Sequence, residues 1–85
     1  MNLINNTTPG KTIDLSAYAK AWHAPYVERQ ELSEFSGGLI KPKTMANLDS
    51  QHKGPNGRIK VGNKVIYPVN ELIAWMEARA SQPIF

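Results

Sequence analysis

The last third of this chain constrains its fold more than any other part. Arg58 to Val61 alternates polar and apolar residues, as a half-buried strand does, and the turn pair Gly62-Asn63 follows. Lys64 to Tyr67 predicts the returning strand, which Pro68 ends. From Val69 to Ala80, apolar residues recur with the helical period. The sequence therefore predicts a β-hairpin that leads directly into a C-terminal helix.

Two shorter helices, joined by a glycine turn, are predicted before the hairpin. Glu28 to Phe35 carries its apolar residues on one face and predicts the first of them. Ser36-Gly37-Gly38 ends it because glycine tolerates a positive φ angle. Pro42 suits the first position of the second helix, which is predicted to extend to Asp49. Gln51 to Gly57 is rich in helix breakers and predicts the loop to the hairpin.

The N-terminal segment predicts an arm that lies outside the main domain. Met1 to Lys11 is polar and predicts a flexible tail, whereas Ile13 to Trp22 predicts a short helix. We expect this arm to pack against the domain; the alternative is an arm that joins copies of the chain. Tyr26-Val27 is compatible with a short strand at a sheet edge. The predicted organisation is a partly flexible arm over 1–25, a domain over 26–81 and a tail over 82–85.

These elements predict an α+β domain that is mainly helical and carries a two-stranded sheet. The 85 residues are near the lower limit for a domain that folds without disulfides or metals. In the first strand, Ile59 and Val61 are expected to face the interior, while Arg58 and Lys60 face outward. The predicted core consists of Leu32, Phe35, Leu39, Met45, Leu48, Ile59, Val61, Ile66, Leu72, Ile73 and Met76.

Positive charge is concentrated in the middle of the chain. Six basic residues and one acidic residue lie from Lys41 to Pro68, so this region carries a net charge of +5. Residues 1–40 and 69–85 each carry a net charge of −1, which leaves +3 for the whole chain. A basic surface on a helix, a loop and a hairpin is typical of proteins that bind nucleic acid.

Composition and motifs exclude several other classes. The chain has no cysteine, so it has neither disulfides nor a thiolate metal site, and His23 and His52 are too few for a histidine zinc cluster. No apolar run approaches the roughly 20 residues that span a bilayer, and no signal peptide is recognisable, so we expect a cytoplasmic protein. Paired carboxylates, a phosphate-binding glycine loop and an activated nucleophile are all missing from the pattern, so neither enzymatic activity nor a cofactor is expected.

The central and C-terminal segments carry a family resemblance. Its parts are Val27 to Phe35 as a first helix, Pro42-Lys43-Thr44 opening a second, Ile59 to Pro68 as a hairpin, and Glu71 to Met76 closing the domain. The sequence resembles the MerR-like winged helix-turn-helix of phage and mobile-element excisionases over Tyr26 to Arg79, roughly two-thirds of the chain. The resemblance implies a protein that binds double-stranded DNA, with the hairpin as its wing.

The resemblance also implies a set of DNA-contacting residues. The second helix is expected to enter the major groove, where Lys43 suits guanine, Asn47 suits adenine and Thr44 suits a thymine methyl group or a phosphate. The tip of the wing is expected near the minor groove, and Arg58 and Lys60 are expected to contact phosphates. The full predicted set is Lys41, Lys43, Thr44, Asn47, Lys53, Arg58, Lys60, Asn63 and Lys64.

Three functions remain open on the sequence alone. The first is an excisionase that binds repeated sites, bends attachment-site DNA and promotes excision with a cognate integrase, with cooperative self-association on the DNA. The second is a small transcriptional regulator of a phage or mobile element, for which the same fold serves equally well. The third is a protein-interaction module whose basic patch binds an acidic protein. In all three cases the expected location is a bacterial or phage-infected host cell.

Overall fold

The computed structural model describes residues 13–80, and their elements follow the predicted order with two additions. One is a strand between the first two helices, where Tyr26-Val27 was expected only to pair at a sheet edge. The other is a short 3₁₀ turn, Arg29–Glu31, at the place where the helix predicted from Glu28 was expected to begin. The helices are α1 Ser16–Ala21, α2 Leu32–Ser36, α3 Pro42–Ser50 and α4 Val69–Arg79. The strands are β1 Tyr26–Glu28, β2 Ile59–Val61 and β3 Lys64–Pro68. The flexible tail predicted over 1–11 and the tail over 82–85 lie outside the described residues.

The sheet has three strands, one more than the two in the predicted hairpin. Its order is β1-β3-β2, with both pairs antiparallel, so β3 lies in the centre. Tyr26 lies opposite Pro68 and Val27 opposite Tyr67, which confirms the expected edge pairing of Tyr26-Val27. Gly62 has a φ of 63° at the hairpin turn, a conformation that glycine adopts without steric cost.

The hairpin presents the opposite face to the one predicted. Val27 and Tyr67 lie opposite each other and are fully buried, so their side of the sheet faces the core. Because side chains alternate along a strand, Lys60 belongs to this core side, and Ile59 and Val61 belong to the outer side. The prediction that Ile59 and Val61 face the interior is therefore wrong; they are 42% and 58% exposed. The burial of Tyr67 sets this orientation, because strand alternation then puts Ile66 and its partner Ile59 on the opposite side of the sheet.

A serine closes the turn between α2 and α3. The Ser36 hydroxyl donates to the carbonyl of Leu32 at 2.7 Å and accepts from the amide of Ile40 at 2.8 Å. Gly37, with a φ of 65°, ends α2 as predicted. Ile40 is buried, but the predicted core residue Leu39 is 69% exposed, since the turn directs it away from the helices.

The core lies between the helices and the inner side of the sheet. Leu48 and Ile66, both predicted in the core, are only partly buried, and Trp75 packs at its margin. Helix α1 packs against this core, where Trp22 meets Phe35 edge-on with ring centroids 5.4 Å apart. The buried apolar residues are Val27, Leu32, Phe35, Ile40, Met45, Tyr67, Val69, Leu72, Ile73 and Met76. Among residues 13–80, no helix is long and apolar enough to cross a membrane.

Candidate nucleic-acid interface

Helix α3 exposes the side chains that the sequence assigned to base reading. Pro42 occupies its first turn, and the extended backbone of Lys41 precedes it. Because successive residues turn by about 100° around a helix, buried Met45 places Asn47 near the centre of the outward face, with Lys43 beside it. The predicted residues on α3 are therefore exposed together on one surface.

Thr44 lies at the border of that surface. It is exposed, but it also lines an apolar groove of about 310 Å³ with Leu39, Leu48, Trp75 and others. This groove separates the outward face of α3 from α4. The methyl group of Thr44 suits contact with a thymine methyl group, and its hydroxyl suits a phosphate. Its place beside the apolar groove suits the edge of a DNA contact better than the centre.

The loop after α3 is held at its middle by a tryptophan. The indole Nε1 of Trp75 donates to the carbonyl of Lys53 at 2.8 Å, and the Lys53 amide donates to the carbonyl of Leu48, also at 2.8 Å. The Lys53 side chain remains exposed. His52 before Lys53 and Arg58 after it help to line a polar recess of about 390 Å³. The loop is thus tied to both neighbouring helices while its basic groups face solvent.

The basic residues of the hairpin lie on two different sides of the sheet. Arg58 and Lys60 fall on the core side by alternation, and both are exposed. Lys64 lies on the outer side, where its Nζ bonds Oε2 of Glu28 at 2.8 Å. This bond with Glu28 raises the pKa of Lys64 and offsets its charge. Asn63 is exposed in the turn between the strands.

A buried carboxylate behind α3 is the feature that the sequence interpretation missed. Asp49 is 3% exposed and joins two other segments through Oδ2. That oxygen accepts from Nη2 of Arg29 at 2.7 Å and from the hydroxyl of Tyr67 at 2.6 Å. The Tyr67 hydroxyl in turn accepts from Nε of Arg29 at 3.0 Å, which closes a triangle. We call Arg29, Asp49 and Tyr67 the buried triad.

The other oxygen of Asp49 faces a different set of neighbours. Among residues 13–80, Oδ1 is buried and has no hydrogen-bond partner, although Nη1 of Arg58 lies 3.7 Å away. Gly54 lies so close that a Cβ atom added there would overlap this oxygen. The side chain of Asp49 is therefore confined on both sides.

Burial and the Asp49 carboxylate control the ionisation of Tyr67. Removal of the phenol from water, together with its hydrogen bond to Asp49, raises the pKa of Tyr67 to about 12. Arg29 opposes this by stabilising a phenolate. At neutral pH the hydroxyl is therefore protonated and available as the donor to Asp49.

One sequence signal indicates the burial of Asp49. Met45 and Asp49 are four residues apart, so they lie on the same face of α3, and Met45 was correctly placed in the core. The identity of its partners carries no local signal, since Arg29 and Tyr67 are 20 and 18 residues away. Within residues 13–80, no group of three or more His, Asp or Glu side chains is placed to bind a metal ion.

Neither a protein-family model nor a curated protein matches this sequence. The winged helix-turn-helix resemblance therefore stays a prediction, and the function must be argued from the surface itself.

Proposed function

We propose that this protein is a sequence-specific DNA-binding protein of the excisionase type. The observation that carries the proposal is the exposure of all nine predicted DNA-contacting residues, on α3, the following loop and the hairpin. Their charges belong to the +5 segment from Lys41 to Pro68, in a chain whose flanking segments are slightly acidic. Clustered basic side chains next to an exposed helix face are what a DNA duplex requires.

In this proposal α3 enters the major groove. Asn47, at the centre of the outward face, presents an amide that pairs with the N6 and N7 edge of adenine. Lys43 lies beside it and donates to guanine O6 and N7. Lys41, directly before the helix, is placed for a phosphate contact, and Thr44 contacts the border of the site.

The hairpin makes the second set of contacts. Arg58 and Lys60, on the core side, approach the backbone phosphates, and Asn63 at the turn approaches the minor groove. Lys64 contributes less than the sequence suggests, because Glu28 already pairs with it. Lys53 adds a backbone contact from the loop.

The excision role follows from bending. A protein that contacts two grooves from a small domain favours bent DNA, and bending a site costs on the order of 1–6 kcal/mol, which additional contacts offset. In an excisionase this bent DNA brings the binding sites of a cognate integrase together. A transcriptional regulator built on the same surface binds at a promoter and does not need the bend.

The decisive experiment measures fluorescence anisotropy on DNA fragments from the protein's own genetic neighbourhood, at two salt concentrations, with a gel assay for bending. Salt-sensitive binding with bending at repeated sites beside an attachment site supports the proposal. Specific binding at a promoter without bending supports a transcriptional regulator. Absence of specific binding contradicts both and favours an acidic protein partner.

Substitutions separate base reading from phosphate binding. Lys43→Ala and Asn47→Ala should each weaken binding to the specific site by about 1–3 kcal/mol and bind random DNA nearly as before. Lys60→Ala should weaken both about equally and reduce the salt slope by about 1. Lys20→Ala, an exposed lysine on α1 outside the basic segment, is the matched control. If Lys43 and Asn47 prove irrelevant to specificity, α3 is not the reading helix.

A further inference from the structure

The buried triad joins three segments, two of which, α3 and the hairpin, have little other contact with each other. Arg29 belongs to the 3₁₀ turn, Asp49 to the end of α3 and Tyr67 to β3. Helix α3 packs mainly against the 3₁₀ turn, and neither hairpin strand is among its main neighbours. A direct hydrogen bond from the hairpin to α3 runs from the Tyr67 hydroxyl to Asp49.

This link is a costly way to obtain stability alone. A buried ion pair loses hydration, and replacing one with apolar residues of similar volume is often neutral or stabilising. Asp49 is 3% exposed, and within the described residues its Oδ1 has no hydrogen-bond partner. Its bonds are short and directional, however, and they come from two different segments. Such bonds restrict orientation, which apolar contacts do poorly.

We propose that Asp49 is a positioning residue that fixes the β2–β3 hairpin relative to α3. The consequence for DNA rests on the proposed function: the fixed hairpin sets the separation between the major-groove contacts of Asn47 and the minor-groove contact of Asn63. The same carboxylate also holds the base of β2 through Arg58, whose Nη1 lies 3.7 Å from Oδ1. Asp49 thus acts on DNA recognition without touching DNA.

The geometry is tested without DNA. The chain has no cysteine, so Asn47→Cys and Asn63→Cys give two unique sites for nitroxide labels, and both positions are exposed. Pulsed electron spin resonance then measures the distance between α3 and the hairpin turn. Tyr67→Phe keeps the ring but removes the hydroxyl from the triad, and we expect a broader or displaced distance distribution. Tyr26→Phe, at an exposed tyrosine, is the matched control and should leave the distribution unchanged.

A second substitution guards against an effect of lost stability. Asp49→Asn keeps the size of the side chain and removes its charge, and it should broaden the distribution in the same way. Circular dichroism at the temperature of measurement verifies that each variant is folded. Folded Tyr67→Phe and Asp49→Asn proteins that both give the wild-type distribution would overturn the positioning role.

The consequence for DNA is measured separately on unlabelled protein. Tyr67→Phe should bind the specific site about tenfold more weakly, which corresponds to about 1.4 kcal/mol, and random DNA almost as well as the wild type. Equal binding to the specific site despite a broadened distance would refute the link between separation and recognition. A wild-type protein that binds no DNA contradicts the proposed function only, and the distance measurement then still decides whether Asp49 positions the hairpin.

Discussion

Gly54 offers a stringent test of how tightly Asp49 is held. A Cβ atom at Gly54 would overlap Oδ1 of Asp49, and Gly54 does not have a positive φ, so Gly54→Ala acts through this contact and not through backbone strain. An exposed carboxylate would simply turn away. Asp49 cannot do so without breaking the bonds of its Oδ2 to Arg29 and Tyr67.

The expected magnitude follows from those two bonds. Hydrogen bonds to a charged group contribute about 1.5–3 kcal/mol each, so their loss costs about 3–6 kcal/mol. Replacing glycine by alanine stabilises by about 0.4–1 kcal/mol through the unfolded chain, which leaves a net cost of about 2–6 kcal/mol. A domain of this size has a total stability of only about 3–10 kcal/mol, so the effect is large.

Urea unfolding followed by circular dichroism measures this cost, and a double-mutant cycle assigns its cause. In an Asp49→Ala background the added methyl group has nothing to displace, so Gly54→Ala should be neutral or slightly stabilising. Asp49→Ala alone should lower the free energy of unfolding by about 3–5 kcal/mol. The cycle is therefore measured in trimethylamine N-oxide, which favours the folded state. An equal cost of Gly54→Ala in both backgrounds, or a cost below about 0.5 kcal/mol for Gly54→Ala alone, would show that Asp49 is not the cause.

Three further predictions concern the ion pairs and the turn. The pKa of Tyr67 is about 12 in the folded protein and 10.0 when unperturbed, so its contribution to stability is complete below pH 10 and is lost as the pH rises to 12. Tyr67→Phe should remove that loss, which thermal midpoints measured from pH 9 to 12 would show. Glu28→Gln should leave the thermal midpoint nearly unchanged but strengthen DNA binding, since it frees exposed Lys64; weaker binding in the anisotropy assay would contradict this. Ser36→Ala should cost about 1–3 kcal/mol in urea unfolding, because the buried amide of Ile40 loses its acceptor, and an unchanged midpoint would contradict that role.

The elements of this fold were predictable where their signals are local. The Gly62-Asn63 turn, the helical period after Pro68 and the glycine end of α2 each depend on a few neighbouring residues, and the structure contains all three. The extra strand β1 was expected only as an edge pair. Its pairing with β3 is long-range. The burial of Tyr67, which puts Ile59 and Val61 on the outer side of the sheet, likewise depends on residues distant in sequence such as Asp49.

In the candidate site, too, features with local sequence signals were predictable and features that depend on long-range contacts were not. The outward face of α3 was predictable from the helical period, since buried Met45 fixes where Lys43 and Asn47 lie. The buried triad was not predictable, because charge normally indicates solvent exposure and the partners of Asp49 are distant in sequence. DNA binding by the exposed residues stays a prediction that the anisotropy experiment decides.

The sheet order places β2 at an open edge, and this has a consequence for how the protein meets copies of itself. Within residues 13–80, the edge of β2 that faces away from β3 pairs with no other strand, and all three side chains of β2 are exposed. An exposed apolar strand edge can act as a template for aggregation, and the three-residue length of β2 already limits this. Lys60 is the central residue, so antiparallel pairing of two β2 strands about their midpoints would set one ammonium group against another. Lys60 should therefore oppose edge-to-edge polymerisation of the hairpin, and Lys60→Ala, which we expect to weaken DNA binding, should also remove this protection.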